Sequence, residues 1–87
     1  MAVDKIIFTK EAARSLQKMP HNTAMLIRKK LETIAANPYA DHSNAKKLKG
    51  RDGYRLRVGD WRVLYEIQDD KLVILVLKVA LRGEVYR

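Results

Sequence analysis

With 87 residues the chain is expected to form one domain, spanning 1–87, around one hydrophobic core. There is no cysteine, the two histidines (His21 and His42) lack paired ligand spacing, no run reaches the ~18 apolar residues of a membrane span, and Met1-Ala2-Val3-Asp4-Lys5 has no apolar leader; a disulfide framework, a zinc centre and a membrane partner are disfavoured and a cytoplasmic address is expected. Eighteen basic residues against ten acidic ones leave a net charge of +8, which attracts polyanions: nucleic acid, anionic lipid or an acidic protein.

Val3 to Phe8 is a short β-type run. Thr9 follows as a helix N-cap, with Glu11 well placed in the first turn. Ala12, Ala13, Leu16 and Met19 form a helical stripe, and Pro20 stops it and opens the next helix. That second helix is expected from about His21 to Ala36, with Ala24, Ile27, Leu31, Ile34 and Ala35 on one buried face. Asn37-Pro38 ends it. The two helices form an antiparallel hairpin able to cover one face of a sheet.

Residues 39–53 are polar and turn-rich and hold a basic cluster, Lys46, Lys47, Lys49 and Arg51. Taken alone, the cluster reads as a solvated loop. From Tyr54 the period changes to two. Tyr54, Leu56 and Val58 alternate with Arg55 and Arg57, and Trp61, Val63, Tyr65 and Ile67 alternate with Arg62, Leu64, Glu66 and Gln68. Gly59-Asp60 between them suits a two-residue hairpin turn of type II′. Asp69-Asp70 is expected to be a second tight turn. Leu72 to Val79 is apolar on both faces except for Lys78, as in a central strand. The fold class is therefore α+β: an N-terminal strand, a two-helix hairpin, then an antiparallel three-stranded meander. The first strand completes a four-stranded sheet with the helices packed on one face.

A two-residue turn at Gly59-Asp60 fixes the pairing: Val58 opposite Trp61, Arg57 opposite Arg62, Leu56 opposite Val63 and Arg55 opposite Leu64. The apolar set meets the helices, so Arg55, Arg57 and Arg62 share the uncovered face. The same register carried through Asp69-Asp70 places Leu75 and Leu77 opposite Leu64 and Arg62. Like charges directly opposite on a sheet are destabilising by roughly 0.2–1 kcal/mol. Such a local conflict marks a candidate site. Glu66 and Asp60 are too few to balance three guanidiniums and the loop lysines. Guanidinium groups bind phosphate bidentately and can stabilise charge building on a phosphorane. Near the end, Arg82 adds a fourth arginine. Tyr86 can stack on a base, exchange a proton, or simply pack.

Leu48-Lys49-Gly50, Gly53 to Tyr65, and the ending Val79-Ala80-Leu81-Arg82 with Glu84-Val85-Tyr86-Arg87 resemble the signature of RelE toxins in the RelE/ParE superfamily. The resemblance covers the whole chain. It implies a toxin that cleaves mRNA in the ribosomal A site by 2′-hydroxyl attack, with no metal and no other cofactor. It assigns Arg62 and Arg82 to transition-state stabilisation and Tyr86 to base stacking or proton transfer. Arg55 and Arg57 fall at active-site positions that are lysines in the best-known members, and Lys47 and Lys49 at loop positions that contact ribosomal RNA. An acidic RelB-like antitoxin is the implied partner, with operator DNA bound only through the toxin–antitoxin complex. ParE-like inhibition of DNA gyrase on the same fold is the alternative.

Overall fold

The structure, a computed structural model, describes residues 5–84. In chain order its elements are β1 (Lys5–Phe8), α1 (Lys10–Lys18), α2 (His21–Ala36), β2 (Ala45–Lys47), β3 (Tyr54–Val58), β4 (Trp61–Gln68) and β5 (Val73–Leu81). Of the first expected strand, Val3 and Asp4 lie outside the described residues.

The start of α1 follows from one hydroxyl. Thr9 Oγ1 accepts from the Ala12 backbone N–H at 3.1 Å and donates to the Leu77 carbonyl at 2.8 Å, so the same group caps the helix and ties it to the sheet. Glu11 in the first turn and Lys18 in the last complement the helix dipole. The Pro20 carbonyl then accepts from Thr23 and Ala24 to open α2. Ala12, Leu16 and Met19 of the first stripe and Ala24, Ile27, Leu31, Ile34 and Ala35 of the second are buried, as their spacing requires. They close on Leu56, Val58, Val63, Tyr65, Ile74, Val76 and Val79 from one face of the sheet. Each fully buried Val, Leu or Ile contributes about 1.5–3 kcal/mol.

The sheet has five strands, not four, in the order β1-β5-β4-β3-β2. The additional strand is β2, which pairs antiparallel with β3 through Ala45↔Leu56, Lys46↔Arg55 and Lys47↔Tyr54. Three residues are too few to display a period of two, and adjacent lysines hide the alternation. The β3-β4-β5 meander is antiparallel, whereas β1 joins parallel to β5, so the sheet is mixed. Lying between β1 and β4, β5 is the central strand that its apolar run implies.

The β4–β5 register differs from the expected one. The connection is not a two-residue turn but a 3₁₀ turn at Asp69–Lys71, followed by Leu72 in the left-handed region at φ 53°. This places Ile67 opposite Ile74 and Glu66 opposite Leu75. A bulge at Leu64/Tyr65 then skips Leu77, so Leu64 faces Lys78 and Arg62 faces Ala80 rather than Leu75 and Leu77. The skipped Leu77 is the residue whose carbonyl takes the Thr9 hydroxyl.

Candidate nucleic-acid interface

The β3–β4 hairpin is built as its sequence requires. Gly59 has φ +59°, and Asp60 is not among the positive-φ residues, the combination of a type II′ turn. The ladder runs Val58↔Trp61, Arg57↔Arg62, Leu56↔Val63, Arg55↔Leu64 and Tyr54↔Tyr65. Leu56, Val58, Val63 and Tyr65 are buried toward the helices. Arg55, Arg57 and Arg62 therefore share the other face.

Two cross-strand rows cover that face. One runs Lys46, Arg55, Leu64, Lys78 across four strands. The next runs Arg57, Arg62, Ala80, and the Arg57 backbone N–H donates to the Asn44 carbonyl at 2.8 Å. Lys78 was not foreseen, because only the bulge brings it into the row. Its Nζ lies 3.6 Å from Glu11 Oε1, which ties it to the start of α1. Arg62 Nη1 donates to the carbonyls of Gly59 (2.9 Å) and Trp61 (3.0 Å), so its guanidinium is held against its own turn. The Arg82 backbone N–H donates to the Asp60 carbonyl at 2.9 Å, which brings Arg82 to the same end of the sheet.

The loop cations join the sheet arginines through β2. Lys46, Lys47, Leu48, Lys49, Arg51 and Arg55 line a groove of about 590 Å³. A smaller hollow of about 180 Å³ is lined by Ser43, Asn44, Lys46, Arg55 and Arg57. Lys46 and Arg55 line both, so the basic cluster and the hairpin form one continuous positive surface. Ser43 and Asn44 were missed as lining residues, since nothing in their local pattern announces a strand edge. Lys47 departs from the group. It pairs with Tyr54, whose ring stacks on Tyr65 (centroids 5.3 Å apart), so its Cβ points toward the helix-covered side. Arg62 and Arg82 line neither hollow and sit at the turn end of the surface. Tyr86 lies outside the described residues.

The phenols that are described sit elsewhere. Burial pushes the Tyr65 phenol up to about 12. The hydrogen bond from Tyr39 to Asp69 Oδ2 does the same for Tyr39. Neither is poised to take a proton near neutral pH. Among the described residues no three His, Asp or Glu side chains group in a way that could hold a metal ion, and no helix is long and apolar enough to cross a membrane.

A positive surface of arginines on a mixed sheet backed by two helices can be set against known proteins. The family model for the ParE toxin of type II toxin–antitoxin systems (parDE) matches residues 6–86. The chain belongs to that family. Within the RelE/ParE superfamily its likeness is to RelE-type toxins. It is 30% identical over 80 residues to the putative toxin RelE1 of Methanocaldococcus jannaschii, covering 90% of this chain and 89% of the relative. The archaeal RelE–RelB complex from Pyrococcus horikoshii superposes with a TM-score of 0.78 at 27% identity, covering 98% of this chain and 100% of that one. A mutant of Escherichia coli RelE, solved with an antitoxin RelBc peptide, gives 0.76 at 31% identity over 99% and 92%. This RelE/ParE protein is thus a toxin of the type II toxin–antitoxin class.

Proposed function

We propose that this RelE/ParE toxin is a ribosome-dependent mRNA endonuclease that works without a metal. In the reaction, the 2′-oxygen gives up its proton and attacks the adjacent phosphorus. A new P–O2′ bond forms, the P–O5′ bond breaks, and the 5′-oxygen takes a proton. The products are a 2′,3′-cyclic phosphate and a 5′-hydroxyl. Arg62 and Arg82 carry the negative charge that builds on the phosphorane oxygens. Arg55 and Arg57 hold the scissile phosphate, and Lys46, Lys47, Lys49 and Arg51 bind ribosomal RNA along the groove. Arginine does not give up its proton. The 2′-hydroxyl proton therefore leaves through Tyr86 or water, not through position 55 or 57.

The observation that carries this reading is the direct pairing of Arg57 with Arg62 on the face the helices leave bare. A fold under selection for stability alone would not set two guanidiniums opposite each other. Primer extension on programmed ribosomes tests it: wild type cuts mRNA only with ribosomes present, and Arg62→Ala with Arg82→Ala abolishes the cut while the protein stays folded. Full cleavage by that double variant removes the site.

The partner is an acidic RelB-like antitoxin. The solved relatives seen with RelB support this, and the +8 charge makes the association electrostatically favourable. Its acidic segment orders on the toxin, and operator DNA is bound only by the complex. A second reading rests on the matching family model being that of ParE toxins: gyrase inhibition with no cleavage chemistry. Loss of supercoiling activity with intact mRNA on ribosomes would establish it.

A further inference from the structure

The Gly59-Asp60 turn does more than connect two strands. Three consecutive carbonyls, those of Gly59, Asp60 and Trp61, each accept a hydrogen bond from an arginine. Gly59 and Trp61 take the Nη1 of Arg62, at 2.9 and 3.0 Å. Asp60 takes the backbone N–H of Arg82 at 2.9 Å, just past the last ladder pair Trp61↔Leu81. The two arginines assigned to the transition state thus meet at one turn, Arg62 through its side chain on Gly59 and Trp61 and Arg82 through its backbone on Asp60.

The chemistry of the guanidinium sharpens this. Of its five N–H donors, the two on Nη1 face the turn carbonyls. The Nε–H and the two Nη2 hydrogens remain, and of these the Nε–H and the nearer Nη2 hydrogen form the side-on edge that binds two oxygens of one phosphate. The carbonyls thereby occupy one corner of the group and direct the other edge outward. The turn conformation that makes this possible needs Gly59 at φ +59°. A Cβ there would meet nothing within 4 Å, so a larger residue is disfavoured by backbone conformation and not by space.

We infer that the Gly59-Asp60 turn is a positioning element that aims the Nε/Nη2 edge of Arg62 and sets its spacing from Arg82, so that it acts on the rate of cleavage and not on RNA affinity. The inference rests on the nuclease reading above. It separates two roles along one positive surface: the groove around Lys46 and Arg55 holds the RNA, and the turn end aligns the charge-stabilising pair.

The test is single-turnover cleavage on programmed ribosomes, with the toxin concentration varied to separate the maximal rate from the half-saturating concentration. Gly59→Ala should lower the maximal rate by roughly 10- to 100-fold, the cost of a small misplacement of a reacting group, with half-saturation unchanged. In an Arg62→Ala background the same substitution should cost little more, because it acts through Arg62. Arg62→Lys keeps a charge but cannot offer the two-sided geometry, and its rate should fall toward that of Arg62→Ala. This exterior substitution carries the test if thermal melts show Gly59→Ala unfolded. An unchanged rate in Gly59→Ala, an equal loss in both backgrounds, or full activity in Arg62→Lys overturns the inference. Wild-type cleavage by Arg62→Ala removes the role given to Arg62 and the inference with it, whereas no cleavage by the wild-type protein on programmed ribosomes overturns the nuclease reading itself.

Discussion

Replacing Arg57 should make the protein more stable and less active at once. Arg57 is exposed and stands directly opposite Arg62, whose guanidinium is held on the turn and cannot retreat far. Its contribution to the ladder, the N–H donated to Asn44, belongs to the backbone and survives any substitution but proline. Arg57→Thr removes a like-charge pair worth roughly 0.2–1 kcal/mol and puts a β-branched residue in a strand. For a domain of this size that corresponds to a rise in Tm of roughly 1 to 8 °C. The electrostatic part should shrink in 1 M salt, where the Debye length is about 3 Å. Calorimetry at low and high salt measures the gain, and ribosome-dependent cleavage measures the loss. A fall in Tm, or a gain that 1 M salt leaves undiminished, would refute the view that the pair is kept against the interest of the fold.

Thr9→Ala should cost about 1–3 kcal/mol in chemical denaturation, because it removes both the cap on Ala12 and the bond to Leu77. Alkaline stability should depend on Tyr65: its phenol is raised from 10 to about 12 in the fold, so the contribution is complete below pH 10 and is lost as pH climbs toward 12. Tyr65→Phe, compared with wild type over pH 9 to 12 by denaturation midpoint, should show a shallower fall. Lys49→Ala with Arg51→Ala should weaken binding to ribosomes and lower its salt dependence, while the single-turnover rate at saturation holds. A lowered maximal rate with unchanged binding would argue against the groove as an RNA-holding surface.

Much of this was legible in the chain itself, for identifiable reasons. The helices could be placed because Thr9, Pro20 and Asn37-Pro38 punctuate them, and their buried faces follow from the spacing of Ala12, Leu16, Ile27, Leu31 and Ile34. The Arg57–Arg62 pair could be placed because a two-residue turn leaves one register open. What escaped was decided by tertiary contact. A three-residue edge strand such as β2 exists only because Leu56 and Arg55 offer a ladder to it. At the bulge, the carbonyl of the skipped Leu77 is taken by a hydroxyl 68 residues earlier in the chain, a partner no local pattern announces. The parallel direction of β1 has no local signature. For the site, the cost was Lys78, which joins the basic row only through that bulge, and Lys47, whose pairing with Tyr54 points its Cβ away from the row.

The seating of β1 has a consequence for synthesis. Lys5 pairs with Val73 and Phe8 with Val76, so β1 can find its place only beside β5, made some 65 residues later. Pairing at such separation is slow relative to local structure. While the chain is still emerging, the helices can form but the sheet has no centre. A nascent copy therefore stays incomplete until β5 has been made, which gives a co-expressed binding protein time to be present when the finished surface first appears.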